Sequence, residues 1–161
     1  MAPHVLNEVD RERPAARPVG AEFLVSGNGV LHHLGFVVKS ISAAADGFAL
    51  SISAQWDGGV IHDPIQQVCV AFFYPADSRN PVFELVEPAS ENSPVTNFLK
   101  KTRGGFHHVC YEVDDLESAL HEGRKVGLVL ASAPAPAVAF GGRRIAWVCS
   151  KTRLLMELLE R

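Results

Sequence analysis

The stretch LHHLGFVVKSISAA, residues 31–44, returns in altered form as FHHVCYEVDDLESA, residues 106–119. Each copy opens with two adjacent histidines, continues as an apolar run of strand character and ends in residues typical of a helix start. The second histidines of the two pairs, His33 and His108, lie 75 residues apart. A repeat at this period predicts a chain built from two copies of one supersecondary unit.

Two further pairs of segments have nearly the same offset. VFELVE at residues 82–87 returns as LMELLE at residues 155–160, 73 residues later. VAF at residues 70–72 returns as IAW at residues 145–147, 75 residues later. Because histidine and glutamate are among the residues that repeat, the duplication bears on chemistry as well as on the fold.

Length and composition describe one ordinary globular domain. The 161 residues are enough to bury a core, and the formal net charge of −3 leaves no basic surface for nucleic acid. No apolar run is long enough for a membrane span, and the first 20 residues carry charges and prolines where a signal peptide needs an apolar stretch. The three cysteines lie in apolar runs, which is typical of reduced core thiols. We therefore expect a cytoplasmic protein with neither a nucleic-acid nor a membrane partner.

Local signals divide the chain into an arm and one domain. Residues 1–29 are predicted to form a flexible arm, because their beginning is rich in Pro, Arg, Glu and Ala and lacks periodicity. Residues 30–161 are predicted to form a single α+β domain in which each copy has the order βαβββ. Its parts are module one at 30–87, a linker helix at 93–102 and module two at 106–160.

Four side chains at matching strand positions are candidate metal ligands. They are His33 and Glu84 in module one, and His108 and Glu157 in module two. Alternation along the strands places each glutamate among apolar neighbours, which is costly unless the carboxylate is paired or bound to a cation. Two imidazoles and two carboxylates suit Zn, Co, Ni, Mn or Fe. We predict that the four residues converge in a pseudo-symmetric cleft and bind one divalent ion, with positions open for a substrate oxygen.

The neighbouring residues of the same types receive other roles. By strand alternation, His32 and His107 should point to the opposite face of the sheet. Glu87 and Glu160 also repeat, but alternation turns them away from the glutamates of the cleft. We predict that these two are surface or sheet-edge charges.

The chain resembles the vicinal oxygen chelate superfamily, which includes glyoxalase I, extradiol dioxygenases, fosfomycin-resistance proteins and bleomycin-binding proteins. Within it, the chain is most similar to the methylmalonyl-CoA epimerases. The segments that carry the resemblance are HHLGFVVKSI, FELVEPASENSPVTNFLKK, GGFHHVCYEVDDLESAL, GGRRIAWV and LLMELLE, all within residues 30–160. The resemblance implies two βαβββ modules in a concave mixed sheet around a metal cleft. It also implies a homodimer and a small-molecule substrate such as an acyl-CoA.

The chain also departs from the epimerase pattern. The turn before the last strand reads CSKTR, residues 149–153, where the epimerases have a His-Pro-Lys turn with glycines. Module one is compressed between residues 43 and 59. Residues 66–70 contain no match for a second proton-transfer carboxylate outside the metal ligands.

The resemblance implies removal of the proton alpha to a thioester carbonyl and its return to the other face. The metal would act as a Lewis acid that stabilises the enediolate, and a carboxylate would carry the proton. Glu157 is our first choice for a ligand that also moves protons, and Glu84 is the second. Arg143 and Arg144 suit a substrate carboxylate or phosphate, although charges that flank a strand are the simpler interpretation.

Three other functions fit the same fold. A glyoxalase I-type lyase would apply the same metal chemistry to a glutathione hemithioacetal. An extradiol dioxygenase needs two histidines and one carboxylate around iron, so the additional Glu84 argues against it. A non-catalytic protein that binds small molecules would keep His33 and His108 as packed remnants of the cleft.

Overall fold

The computed structural model describes residues 29–161, so the predicted arm lies outside the described residues except for Gly29. The strands are β1 (Val30–Val37), β2 (Ala54–Gln55), β3 (Ile61–Asp63), β4 (Val68–Pro75), β5 (Val82–Pro88), β6 (Gly105–Val113), β7 (Val129–Pro136), β8 (Arg144–Cys149) and β9 (Leu155–Glu160). The helices are α1 (Ile41–Ser51), α2 (Thr96–Thr102) and α3 (Leu116–Lys125), with a 3-10 turn at Val138–Phe140. None of the helices in this part of the chain is long and apolar enough to cross a membrane.

One mixed, open sheet contains all nine strands of residues 29–161. Its order is β2-β4-β5-β1-β6-β9-β8-β7, and β3 pairs with β4. The middle strands β1 and β6 run antiparallel, while β1 pairs in parallel with β5 and β6 pairs in parallel with β9. The order β4-β5-β1 is therefore mirrored by β8-β9-β6 across the centre of the sheet. This arrangement confirms the predicted α+β fold with a mixed sheet.

Helices α1 and α3 cover one face of the sheet. Ile41 and Ala45 of α1 pack on Leu85, and Leu116 and Ala119 of α3 occupy the corresponding place in the second half. Both helices are capped by a side chain that accepts from the backbone. Ser40 accepts from the amide of residue 43 at 3.3 Å, and Asp115 accepts from that of residue 118 at 2.6 Å.

The last glutamate of each module stabilises the start of that module's helix. Glu87 Oε2 accepts from the backbone N–H of Ile41 at 2.6 Å, and Glu160 Oε1 accepts from that of Leu116 at 3.4 Å. Negative charge at a helix N-terminus is favourable because it satisfies free amides and opposes the helix dipole. The expectation of surface or sheet-edge charges was therefore incomplete, since both carboxylates fasten a helix to its sheet.

One segment differs from its predicted boundaries. Helix α2 begins at Thr96 rather than Ser93, because residues 93–95 form a turn in which the Thr96 amide bonds to the Ser93 carbonyl at 3.0 Å. Residues Val95, Phe98 and Leu99 of this region pack over the sheet face opposite α1 and α3.

Candidate metal centre

Four buried side chains meet on the sheet face that α1 and α3 leave free. His33 and His108 project from the central strands β1 and β6, and Glu84 and Glu157 project from the flanking strands β5 and β9. Their exposed fractions are 0%, 1%, 5% and 3%, respectively. Strand alternation explains the grouping, since the intervening residues, such as Leu85, turn towards the helices.

The four side chains present their polar atoms to one small volume. The Nε2 atoms of His33 and His108 are 3.0 Å apart. From His33 Nε2, the distances to Glu84 Oε2 and Glu157 Oε2 are 3.3 and 3.2 Å. From His108 Nε2, they are 3.4 and 3.6 Å. All four sequence-predicted residues are thus brought together.

These spacings fit the coordination shell of a divalent ion. Nitrogen and oxygen ligands lie about 2.1 Å from such ions, so neighbouring donor atoms are separated by about 3.0 Å in octahedral and about 3.4 Å in tetrahedral geometry. The spacings of 3.0–3.6 Å between the donors fall near this range. His33, His108 and Glu157 by themselves form a group with the spacing to hold a metal ion.

Without a metal, the same atoms form a proton-sharing cluster. Burial opposes a charge on His33, but the carboxylates of Glu84 and Glu157 outweigh it and raise the pKa of His33 to about 10. Burial likewise opposes a charge on Glu84, but His33 and His108 outweigh it and hold the pKa of this carboxyl below its usual range. The cluster therefore stabilises a positive charge between its carboxylates, and a metal cation can replace the proton that His33 carries.

The companion histidines do not point to the opposite face of the sheet, as alternation predicted. The pairing of β1 with β6 is irregular between Leu31 and His33 and again between Gly35 and Phe36, which correspond to His108 and Phe106. His32 and His107 are the extra residues of these two bulges, and a bulge re-aims side chains. Their Nδ1 atoms lie 2.9 and 3.0 Å from the Nδ1 atoms of His33 and His108. Each bulge thus makes a companion histidine the neighbour of a candidate ligand.

The two modules differ at one position beside the cluster. Gly35 pairs with Glu84 in β1 and β5, and Cys110 pairs with Glu157 in β6 and β9. A Cβ atom at Gly35 would overlap the His108 ring. Cys110 is fully buried beside Glu157, and burial, together with the charge of this carboxylate, raises the pKa of its thiol well above the usual range.

A cavity of about 260 Å³ opens over the cluster. His108, Glu84 and Glu157 lie in its wall, and most of the remaining wall is apolar. His107 also lines it, with its ring edge-on to Phe98 and near Trp147. Burial, with the nearby His108, lowers the pKa of His107 to about 4. The cavity therefore gives a small molecule access to the ligand atoms while limiting water around them.

Asp63 is a wall residue that sequence reasoning missed. It is 2% exposed, and its Oδ1 accepts from the amides of Ile65 and Gln66, both at 2.9 Å. Its Oδ2 accepts from the amide of Val138 at 2.7 Å, so this one carboxylate ties module one to the 3-10 turn of module two. An Asp-Pro pair such as that at 63–64 is typical of a turn, but no local pattern predicts this contact with a distant segment.

The sequence profile of the Glyoxalase/Bleomycin resistance protein/Dioxygenase superfamily matches residues 16–147. The chain belongs to this superfamily. The resemblance found in the sequence is confirmed.

Individual relatives sharpen the comparison. The ethylmalonyl-CoA/methylmalonyl-CoA epimerase of Cereibacter sphaeroides is 29% identical over 124 residues, which cover 76% of this chain and 90% of that protein. A hypothetical protein from Bacillus halodurans C-125 is 28% identical, with a TM-score of 0.72 over 83% of this chain and 94% of that one. A methylmalonyl-CoA epimerase in complex with methylmalonyl-CoA and NH4+ has the same fold, with 21% identity and a TM-score of 0.69 over 82% and 94% of the chains.

Arg143 and Arg144 form ion pairs with neighbouring glutamates. Arg143 Nη1 bonds to Glu112 Oε1 at 2.5 Å. Arg144 bonds to Glu117 at 2.8 Å and to Glu160 at 2.7 and 2.8 Å. Neither arginine lines the cavity, so the simpler interpretation of charges flanking β8 describes them.

Strand β4 lines the cavity with valines, at the place where the epimerase resemblance suggested a second carboxylate. Val68 and Val70 face the cavity from this strand, where a carboxylate outside the metal ligands was sought. Among residues 29–161, the carboxylates in the cavity wall are Asp63, Glu84 and Glu157. Since both oxygens of Asp63 accept backbone bonds, the two candidate ligands are the carboxylates left to move a proton.

Proposed function

We propose that the chain is a metal-dependent epimerase that moves the proton on C2 of an acyl thioester. The observation that carries the proposal is the convergence of His33, Glu84, His108 and Glu157 beneath an apolar cavity, at spacings that suit a divalent ion. The relationship to an ethylmalonyl-CoA/methylmalonyl-CoA epimerase supports the reaction class and makes methylmalonyl-CoA the reference substrate.

In this proposal, all four residues hold the ion, which is Co, Zn, Ni, Mn or Fe. When bound, it supplies Lewis acidity at the thioester oxygen and so makes the C2 proton easier to remove. The apolar side chains that line the cavity lower the local dielectric constant and so strengthen charge interactions at the reacting atoms.

The chain's own contribution is proton transfer by the two glutamates. Glu84 and Glu157 come from strands on opposite sides of the β1–β6 pair, so they can address opposite faces of C2. Glu157 takes the proton from one face as the C2–H bond breaks, and Glu84 relays a proton from water to the other face. Proton exchange with water afterwards restores the starting state.

The first test measures metal content and proton exchange. Protein purified without chelator should contain about one divalent ion per chain, and it should exchange the C2 proton of methylmalonyl-CoA for deuterium in D2O. Glu157→Gln should keep part of the metal, since an amide oxygen still ligates, but lose most of the exchange because it accepts no proton. Glu91→Gln, at an exposed site, is the matched control.

Two results would contradict the epimerase. A chain that binds no metal after reconstitution supports the non-catalytic binding protein. A metal-loaded chain that exchanges no acyl thioester, but converts a glutathione hemithioacetal, supports the glyoxalase I-type lyase. That second candidate is favoured by the valine wall of β4, because a proton moved between adjacent carbons on one face needs only one carboxylate.

A homodimer and a cytoplasmic location belong to the same proposal. Light scattering at micromolar concentration should give twice the mass of the chain, and a monomer alone would contradict the dimer.

A further inference from the structure

We propose that His107 is a substrate-binding residue, whose Nε2–H donates a hydrogen bond to the thioester oxygen of a substrate in the cavity. This inference rests on the proposed function and adds a side chain to that site beyond the four candidate ligands. Two observations carry it. His107 lies in the cavity wall, and its other ring nitrogen contacts His108.

The contact between the two rings determines which nitrogen of His107 carries the proton. His108 presents Nε2 to the cluster, 3.4 Å from Glu84 Oε2 and 3.6 Å from Glu157 Oε2. To hold a divalent ion, this nitrogen must be unprotonated, so the proton of the His108 ring lies on Nδ1. His108 Nδ1 is 3.0 Å from His107 Nδ1 and therefore donates to it. A ring that accepts at Nδ1 carries its one proton on Nε2.

The Nε2 atom is the polar group that the His107 ring offers to the cavity. Within residues 29–161, no backbone or side-chain group accepts a hydrogen bond from it. The centroid of the Phe98 ring lies 4.8 Å from that of His107, edge-on, and the Trp147 ring lies 6.1 Å away. Together with His108, these aromatic neighbours hold the imidazole in one orientation.

The equivalent histidine of module one has a different setting. His32 makes the same contact with its neighbour, since its Nδ1 atom lies 2.9 Å from that of His33. Its ring is edge-on to Phe140, with the centroids 5.6 Å apart, and it does not line the cavity. Both modules therefore place a histidine beside a candidate ligand, but module two also places that histidine where a substrate would contact it.

A thioester oxygen is a suitable acceptor for this donor. It has two lone pairs, so an interaction with the ion leaves a second direction for an N–H group. The ionised carboxylates of the wall, Asp63, Glu84 and Glu157, only accept and cannot take this role. Negative charge grows on the thioester oxygen as the C2–H bond breaks, so the bond from His107 stabilises the transition state more than the bound substrate.

Two substitutions of His107 separate the donor from the contact with His108. The short amide of His107→Asn reaches the position of Nδ1 and can accept from His108, but it leaves no donor at the position of Nε2. The longer amide of His107→Gln can place an N–H there. At saturating metal, His107→Asn should lower kcat for deuterium exchange into methylmalonyl-CoA about 100-fold, with a smaller change in KM, and His107→Gln should restore most of it. His121→Asn, at an exposed site on α3, is the matched control.

A second measurement tests the position of the proton without turnover. Nitrogen NMR of protein with isotope-labelled histidines, loaded with Zn, reports which ring nitrogen is protonated. We expect the proton on Nδ1 of His108 and on Nε2 of His107. Dimethylmalonyl-CoA has no proton on C2 and cannot react, and its binding should shift the Nε2 signal of His107.

The outcomes separate this inference from the proposed function. If wild type and His107→Asn exchange equally fast, if the Asn and Gln variants are equally slow, or if the His107 proton lies on Nδ1, then His107 is not the donor and the epimerase stands. If the Zn-loaded wild type neither binds dimethylmalonyl-CoA nor exchanges methylmalonyl-CoA, the proposed function itself is wrong and this inference falls with it.

Discussion

The two halves of the sheet share their histidine and glutamate but treat the space beside them differently. In module one, Gly35 lies next to Glu84 and leaves room for the His108 ring of the other half. In module two, Cys110 lies next to Glu157, and its side chain is fully buried there. The two halves thus share the same candidate ligands but differ at one equivalent position. Module one has a glycine there, which leaves room for the His108 ring, and module two has a buried thiol.

The largest expected effect comes from adding a side chain at position 35, where module one has only a glycine. Gly35→Ala places a methyl group inside the volume of the His108 ring, so the ring must move and metal affinity should fall by about 100-fold. Metal titration of the purified protein measures this. Gly47→Ala is the control, because nothing lies within 4 Å of its Cβ position. Equal affinity in the two variants would show that His108 adapts freely.

A second test separates the ligands from the companions that the bulges place beside them. His108→Ala removes a donor atom and should lose most of the bound metal, as should Glu157→Ala. His107→Ala removes only a neighbour of the His108 Nδ1 atom, 3.0 Å away, and should cost about tenfold or less in affinity. Metal analysis after dialysis compares them. Similar losses for His107→Ala and His108→Ala would show that the wrong histidine was assigned.

The charge held in module one gives a pH dependence. The pKa of His33 is about 10 in the folded chain and 6.5 without its neighbours, so the folded state binds this proton more tightly. Its stabilisation of the metal-free protein is complete below pH 6.5 and is lost as the pH rises through about 10. The free energy of unfolding, measured by denaturant melts across this window, should decline with rising pH for wild type and should change less for His33→Gln.

Metal binding should show the opposite trend over the same pH window. An ion that displaces the His33 proton binds about tenfold more tightly for each pH unit gained. Titrations that release no proton would contradict the assignment of charge to this histidine.

The smallest expected effect lies in the half that carries the thiol. Cys110→Ala removes the thiol beside Glu157 and should weaken metal binding a few-fold, whereas Cys110→Ser keeps a polar donor there and should restore most of the affinity. The spectrum of the Co-loaded protein reports a change in the ligand carboxylate. If Ala and Ser behave alike, the thiol only fills space.

The sequence was sufficient for the features that depend on repetition and alternation. Matching positions identified His33, Glu84, His108 and Glu157, and the order of the elements predicted a mixed sheet. These features rest on local patterns, which a single strand or helix carries by itself.

The features that the sequence did not reveal depend on distant partners. His32 and His107 turn towards the cluster because two bulges shift the register of β1 against β6, and no residue of either strand predicts that register. Asp63 binds the amide of Val138, 75 residues away, which no local pattern signals. Helix α2 begins at Thr96 and not at the predicted residue 93, because Ser93 is buried in a turn and does not cap the helix.

Each half of the duplicated sheet contributes one imidazole and one carboxylate, so neither half owns a complete ligand set. An ion held by all four would join strands β5, β1, β6 and β9 across the seam between the halves. A ligand that binds only the assembled state stabilises it by about 4 kcal/mol at 1,000 times its dissociation constant. The supply of metal would then determine the stability of the folded protein as well as its chemistry. When the ion is scarce, the pairing of β1 with β6 would be the first to open.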